Sequence, residues 1–436
     1  VPNPAARAAT IGPSPESLRL LKWWRWRVFA ATWLCYAGYY FARKPFYIVK
    51  ADLGRSLDLD ATLLGVLGSA YLIAYTVGQF TAGAVGPRLG ARLMLLIGMG
   101  VSVGAAIGFG FGHSFAWFLV LMILNGLAQA TGWSSTVGNM AAWFHRGERG
   151  TVMGVWATNF QIGGVLASGL AAWTLARWGF RYAFFSGALV LLGVLVFFFF
   201  NQANKPEDKG LPPVVDPADK ASANESAAES GQSVRWSKDV WWTVLLIGGT
   251  YFGLKFIRYA IWSWAPYVLA NNFGLAKDDA GYVSTIFDVA GVAGVIITGW
   301  LSDRFFHGRR ALVSFLMVLG LVAATLGMVT IGSGSVTAFA VSMALTGFCL
   351  YGPDALLTGA GAQDIGNQAS AIRAAGIISG LGSAGSVVQE LAIGKSYTDS
   401  GGDMGPILAM LFGSSLLAAA CLAVILVRNR RGNSDL

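Results

Sequence analysis

The chain has 436 residues, 55% apolar and 12% charged, with 16 Trp and a mean hydropathy of +0.57. This balance excludes an ordinary soluble globular protein and leaves a polytopic membrane protein. The net charge of +9 is no nucleic-acid footprint either, because the basic residues are dispersed over connections between apolar runs.

Val1 to Pro15 is rich in Ala and Pro and lacks a basic, apolar, cleavable pattern, so the first membrane helix is expected to serve as its own insertion signal. Leu18 to Phe29 mixes Arg19, Lys22, Arg25 and Arg27 with Leu20, Leu21, Trp23, Trp24 and Trp26. It reads as a cationic, aromatic interfacial anchor or as a regulatory amphipathic helix on the membrane surface. Apolar stretches of spanning length then recur at about 28–49, 61–85, 92–112, 115–140, 151–174 and 180–201. A second set follows at about 239–270, 281–301, 311–332, 336–359, 368–394 and 405–427. The runs are continuous and not alternating, which argues against a β-barrel. The 57 glycines suit closely packed membrane helices.

After Phe197–Phe200 the composition changes to Lys205, Pro206, Glu207, Asp208, Lys209, Pro212, Pro213 and Pro217, then to a Ser/Ala/Glu stretch, which reads as a solvated linker. The expected organisation is a cytoplasmic N-terminal segment with an interfacial helix (1–27), a six-helix bundle (28–201), a cytoplasmic linker (202–238), a second six-helix bundle (239–427) and a cytoplasmic tail (428–436). Most of the 31 Lys and Arg lie in one alternate set of connections, whereas the other holds Lys50, Arg55, Arg177, Arg181, Lys277 and Lys395. Both termini and the central loop are therefore expected to face the cytoplasm. Cys35, Cys349 and Cys421 lie in apolar runs without motif spacing, as packing residues.

Five cations, Arg43, Lys44, Lys255, Arg258 and Arg373, fall inside spans. Two of them are related by a shift of 215 positions, from 43 to 258. The shift carries Tyr36, Tyr40, Arg43 and Tyr47 onto Tyr251, Lys255, Arg258 and Trp262, so each half places a cation among aromatic residues on one helix face. A charge at the bilayer centre costs roughly 2.5 to 3.5 kcal/mol on insertion scales, so such residues usually face a cavity. Paired in duplicated halves, they point to an anion held between them. The competing reading is that both arginines only neutralise buried acids such as Asp288 or Asp354.

A second repeat supports the duplication. Gly299-Trp-Leu-Ser-Asp303-Arg304-Phe-Phe-His-Gly308-Arg309-Arg310 resembles the loop motif of the major facilitator superfamily, and Gly83 to Arg92 occupies the corresponding place in the first half. A helix end, an acid and adjacent arginines can form a breakable charge latch. Gly86 and Pro87 replace the acid in the first copy, so the latch is expected to act through Asp303 and Arg304.

Tyr39-Tyr40-Phe41-Ala42-Arg43-Lys44-Pro45-Phe46 is similar to a signature of the organophosphate:phosphate antiporter family, a branch of that superfamily. Asn125 to Trp133, Trp143 to Gly150, Lys205 to Pro212, Arg258 to Pro266, Phe287 to Gly291 and Gly352-Pro353 also resemble family stretches, in order, over both halves. The resemblance implies the major facilitator fold, all-α with twelve spans in two pseudo-symmetric bundles. It also implies exchange of a phosphate monoester, such as glycerol 3-phosphate, a hexose phosphate or a phosphoglycerate, for inorganic phosphate, with Arg43 and Arg258 as the phosphate clamp. Guanidinium chemistry fits that role, since its fixed fork of donors matches two phosphoryl oxygens.

Around the clamp, Tyr36 and Tyr40 either hydrogen-bond the substrate or pack with their hydroxyls satisfied elsewhere. Asn159, Gln161, Trp133 and Tyr351 are further binding candidates, each with a plain helix-packing role as the alternative. Lys44, Gln79, Asp288 and Glu390 join Asp303 and Arg304 as gating or coupling candidates. The chain departs from bacterial exchangers in having Gln79 where a lysine is usual, Phe160 where several carry a histidine, and Lys255 one turn before Arg258. Lys255 is expected to replace the cation missing at Gln79. Glu390 is expected near the outer end of its span, solvated or bonded to Lys395, or else as a proton-coupling acid. It lies roughly 25 Å along the helix from Arg373 and cannot pair with it.

The expected protein is a monomeric secondary transporter in a bacterial inner membrane, without cofactor, metal or nucleic-acid partner. Its expected partners are the lipid bilayer, a phosphorylated small molecule and inorganic phosphate. A receptor for extracellular sugar phosphate and a proton-coupled organic-anion carrier are the alternatives. No nucleophile or metal constellation points to an enzyme.

Overall fold

The computed structural model describes residues 14–144, 152–153, 155–156, 158–214, 238–306, 310–359 and 368–430. Among them the chain is helical and contains no strand. Spans one to six are Pro15–Leu57, Ala61–Leu89, Ala91–Gly110, Phe115–Gln129 continuing as Thr131–Trp143, Thr158–Trp178 and Phe180–Asn201. Spans seven to twelve are Lys238–Asn271, Lys277–Ser284 continuing as Ile286–Arg304, Arg310–Thr330, Val336–Gly359, Gln368–Asp399 and Gly405–Arg430.

Among the described residues, 10 helices are long and apolar enough to cross a membrane. Spans one and five fall short of that measure. Span one is interrupted by Arg43, Lys44 and Lys50, and span five by Asn159, Gln161 and its glycines. Polar interruption at these places marks helices that face a cavity or each other more than lipid.

The basic, aromatic stretch before residue 28 is not a separate surface helix. Ser14 caps a single helix of 43 residues by accepting from the Ser17 N–H at 3.1 Å, and Asp58, left-handed at φ 52°, ends it. Such a helix is about 65 Å long, roughly twice the hydrocarbon thickness, so its first turns project past the membrane. They are held there by span six: Arg27 donates to Asn201 Oδ1 at 2.9 Å, with its guanidinium 4.2 Å from the Trp23 ring and 4.5 Å from that of Trp24.

The first part of the expected linker is packed chain. Asn139 Nδ2 donates to the carbonyls of Ala203 and Asn204, both at 2.9 Å, and Asn204 Oδ1 accepts from the Arg92 backbone N–H at 2.7 Å. A 3₁₀ turn, Pro206–Lys209, follows and brings Lys209 Nζ to 4.6 Å from the Trp24 ring. These contacts tie the terminal ends of spans one, three, four and six together. The solvated stretch proper, 215–237, lies outside the described residues, as do 1–13 and the loop after span four.

Packing follows the duplication. Span one lies against five and six, two against four, and three against four and six; seven lies against eleven and twelve, eight against ten, and nine against ten and twelve. Each of these contacts in the first half thus has its counterpart in the second. Between the bundles, span two packs on eleven, five on eight and one on seven.

Among the described residues, the polar contacts between bundles other than Lys44–Asp288 at the centre lie toward the end distal from the termini. Lys277 meets Asp52 at 2.6 Å, Thr62 and Thr398 share a hydroxyl hydrogen bond of 3.0 Å, and Lys50 meets Glu390 at 2.9 Å. Spans two and eleven approach this closely because glycines face each other. A Cβ on Gly65 would stand 2.5 Å from the Glu390 carbonyl oxygen, and one on Gly394 would stand 2.6 Å from that of Ala61. Gly65→Ala is therefore expected to lower stability by about 1–3 kcal/mol through overpacking against backbone that cannot step aside. Gly104, where a Cβ meets nothing within 4 Å, is the matched control. Thermal unfolding in detergent should separate the two, and equal midpoints would show that this contact is not tight.

Candidate functional site

Two helix faces build the site. Positions 36, 40, 43 and 47 stack along one side of span one, and all four side chains are buried. Arg43 is oriented by a chain of amides. Its Nε donates to Gln129 Oε1 at 2.9 Å, and the Tyr71 hydroxyl donates to the same oxygen, also at 2.9 Å. Gln129 Nε2 in turn donates to Asn125 Oδ1 at 2.9 Å, and Asn125 Nδ2 to the Ala42 carbonyl at 3.0 Å. The guanidinium carbon sits 5.0 to 5.4 Å from the rings of Tyr40, Tyr71 and Tyr75. Among the described residues it meets no carboxylate, and its two terminal nitrogens carry no hydrogen bond.

Arg258 is arranged differently. Its guanidinium contacts Asp354 Oδ2 at 2.8 Å and lies 4.5 Å from the Tyr351 ring, 5.2 Å from Trp262 and 5.5 Å from Phe160. Its Nε is buried without a hydrogen-bond partner among the described residues. The acid-neutralising reading thus applies to Arg258 and fails for Arg43.

Tyr40 and Trp262 close the gap between the two arginines. Their rings meet edge to face across the bundles at 6.2 Å, with Arg43 over Tyr40 and Arg258 over Trp262. Such a contact adds about 0.5–1.5 kcal/mol beyond burial and shares the quadrupole of each ring with a neighbouring cation. Beside it, Lys44 bridges to Asp288 Oδ2 at 3.3 Å with its ammonium 4.2 Å from the Trp262 ring. The other Asp288 oxygen accepts from Trp262 Nε1 at 2.7 Å and from the Tyr351 hydroxyl. Lys255, half-buried one turn before Arg258, lies 4.8 Å from the Tyr251 ring and forms no ion pair among the described residues.

Among the described residues, several expected residues make no direct contact with the arginines. Tyr36 lies with Trp133 and Trp156 in an aromatic cluster one turn nearer the terminal end, at ring separations of 5.4 to 5.8 Å. Asn159 is fully buried; its Nδ2 donates to the carbonyl of Trp156, three residues earlier, and its Oδ1 has no partner among the described residues. Gln161 lines a 430 Å³ apolar cleft between spans five and eight, with Ile162, Val165, Val289, Val292 and Ile296. Two residues apart on one helix, Asn159 and Gln161 point to different sides. Arg304 is exposed at the end of span eight, and the side chains of Asp303 and Arg373 lie outside the described residues.

Glu390 requires a correction. It is neither solvated nor bonded to Lys395; it is fully buried with Lys50, which also donates to Ser263 Oγ at 2.6 Å and lies 3.5 Å from the Trp264 ring. Lys50 belongs to the interior of span one, although its place near a span end suggested a connecting loop. Sequence reasoning also passed over Tyr71 and Tyr75, which sit under Arg43. Only the mid-span polarity of Gln129 signalled that arginine's other partner.

The family profile described as Major Facilitator Superfamily matches residues 32–257. A putative glycerol-3-phosphate transporter 2 from Arabidopsis thaliana is 30% identical over 440 residues, covering 92% of this chain and 86% of that protein. A probable hexose phosphate transport protein from Chlamydia pneumoniae is 27% identical over 420 residues, covering 93% and 90%. The glucose-6-phosphate exchanger SLC37A2 of Bos taurus is 29% identical over 473 residues, covering 93% of each. Among solved structures, a bacterial homolog of the lysosomal transporter Spinster, inward-facing and occupied, superposes with a TM-score of 0.68 at 14% identity over 96% of this chain and 98% of that one. A D-xylose-proton symporter gives a TM-score of 0.67 at 15% identity, covering 90% and 96%. With its duplicated packing and its paired intramembrane arginines, the chain is a multi-pass membrane protein of the Major Facilitator Superfamily and belongs to its organophosphate:phosphate antiporter branch.

Proposed function

We propose that this protein exchanges a small phosphate monoester for inorganic phosphate by alternating access, with Arg43 and Arg258 as the clamp. One observation carries the reading: Arg43 is desolvated among tyrosines, is fixed through its Nε, and keeps both terminal nitrogens without an acceptor among the described residues. That is a preset fork for two phosphoryl oxygens. A buried cation without a carboxylate is costly unless an anion visits it. The printed names of the relatives, a hexose phosphate transport protein, a glucose-6-phosphate exchanger and a glycerol-3-phosphate transporter, support the substrate class.

In this reading each six-span bundle moves as a body and the long central segment tethers them. Among the described residues, Lys50–Glu390, Lys277–Asp52 and Thr62–Thr398 join the bundles at the distal end, which supports a site open toward the end bearing the termini, the end expected in the cytoplasm from the Lys and Arg distribution. Phosphate drawn between Arg43 and Arg258 offsets their repulsion and lets the open end close. The empty site closes poorly, which makes exchange obligatory. Each chain contains the whole pathway and works alone.

Counterflow in proteoliposomes tests this. Labelled phosphate is expected to enter vesicles loaded with phosphate or a hexose phosphate, and not empty vesicles. Fast uptake into empty vesicles would overturn obligate exchange, uptake driven by a pH gradient without internal phosphate would indicate a proton-coupled carrier, and binding without flux would indicate a sensor.

A further inference from the structure

Among the described residues, the chamber around the clamp contains more cations than acids, and the structure divides them unevenly. Arg43, Lys44, Lys255 and Arg258 face it, against Asp288 and Asp354. Lys44 is bound to Asp288 and Arg258 to Asp354. Lys50 belongs elsewhere, sealed with Glu390 at the distal end. Among the described residues, two cations are in direct contact with no carboxylate, Arg43 from the first bundle and Lys255 from the second, so four cations stand against two acids whichever way Asp354 is shared between Arg258 and Lys255. Tyr75 lies against the first of them, its ring 5.0 Å from the Arg43 guanidinium, and Lys255 lies one helical turn before Arg258 with its ammonium 4.8 Å from the Tyr251 ring.

We infer that Lys255 is the charge-counting residue of the site: with Arg43 it leaves the empty chamber two positive charges in excess, which selects doubly charged phosphate over singly charged anions. The inference rests on the proposed phosphate-exchange reading and goes beyond it by assigning the selectivity to one residue outside the arginine pair. The physical ground is that charge balance matters most where water is displaced. A dianion between two unpaired cations leaves no net charge in a low-dielectric space, whereas a monoanion leaves one cation buried and uncompensated. Specificity then comes from the penalty on the wrong ligand as much as from attraction to the right one. Arg43 supplies the geometry, through its fork, and Lys255 supplies a mobile point charge on a flexible stem. The organic part of the substrate is free to vary without disturbing this count.

The test compares monomethyl phosphate, a dianion at pH 7.5, with dimethyl phosphate, a monoanion of nearly the same shape. Binding is read as ligand-induced stabilisation of the purified full chain in detergent, so that loss of transport does not hide it. The wild type is expected to prefer monomethyl phosphate by about 30-fold or more, in line with one charge pair in a desolvated site. Lys255→Gln is expected to reduce that ratio by about 10-fold or more, with Lys255→Arg keeping it. Lys255→Gln combined with Asp354→Asn, which frees Arg258 and restores the excess of two, is expected to recover most of the preference. An unchanged ratio in Lys255→Gln, or an equal loss of both ligands, would overturn the inference. If the wild type bound neither phosphate, the phosphate-exchange reading itself would fail, and that result is distinct from either of the others.

Discussion

Arg43→Ala is expected to abolish exchange while leaving the protein folded, and Arg258→Ala is expected to damage both. The asymmetry follows from their partners. Truncating one side of a buried, hydrogen-bonded charge pair costs about 2–5 kcal/mol in affinity, a loss between about 30-fold and several thousand-fold. Both arginines are expected to show this in phosphate binding. Their folding costs differ. Removing Arg43 takes away a buried cation that has no carboxylate, and Gln129 keeps the Tyr71 hydroxyl as a donor, so the unfolding midpoint is expected to stay level or rise. Removing Arg258 leaves Asp354 without the guanidinium 2.8 Å away, and breaking a buried pair from one side costs about 3–5 kcal/mol. Arg258→Ala with Asp354→Asn is then expected to recover stability without recovering transport. Arg43→Lys is expected to fail as well, because an ammonium cannot hold Gln129 and present two parallel donors together. Counterflow and thermal unfolding on the same preparations give both readouts. Retained exchange in Arg43→Ala would remove the basis for the clamp.

The arginines were legible from the sequence because duplication writes the same helix face twice, and the coincidence of Tyr36 to Tyr47 with Tyr251 to Trp262 needs no coordinates. The spans were legible because a continuous apolar run of sufficient length has few other uses. What sets the state of each arginine was not legible. Asp288 and Asp354 were both visible as buried acids, but which of them meets which cation depends on packing between helices far apart in the chain. Tyr71 and Tyr75 look like any interfacial tyrosine until span two is seen lying under Arg43. For Asn159 and Gln161 the sequence left binding and packing open, because polarity in a span marks a residue that needs a partner without saying where that partner is; a neighbouring turn and an apolar cleft are where their contacts fall. The run from Pro15 to Phe29 was divided from span one on composition, although helix propensity gave no reason for a break.

The pairing of charges also links binding to movement. Asp288, on span eight, holds Lys44 of span one directly, and through Trp262 and Tyr351 it borders the ring pair that separates the arginines. In the proposed exchange, an anion drawing Arg43 toward Arg258 would press on a polar network that already spans both bundles. This network lies at the chamber and Lys50–Glu390 lies at the distal closure, so each part of the cycle has its own set of charges.

Glu390→Gln is expected to open that closure. Lys50 and Glu390 are fully excluded from solvent, on spans one and eleven of opposite bundles, with the ammonium also bonded to Ser263. Neutralising the acid strands the ammonium in a dry pocket at a cost of about 3–5 kcal/mol. The penalty falls on the conformation in which the pocket is dry. Once the bundles part at this end the ammonium is hydrated and the cost disappears, so the substitution biases the open state and not folding as a whole. A bias of about 3 kcal/mol is a shift of roughly 150-fold in that equilibrium. Thr62 and Thr398, which meet across the same closure, provide the reporter. A cysteine at position 62 is expected to react with a membrane-impermeant maleimide far faster in Glu390→Gln than in the wild type, while exchange falls because the cycle stalls on one side. Lys50→Met together with Glu390→Met replaces the pair with apolar groups of similar size and is expected to return labelling close to the wild-type rate, since a dry pocket accepts them without penalty. Wild-type labelling in Glu390→Gln alone would mean that the glycine-lined contact of spans two and eleven keeps this end shut without help from the ion pair.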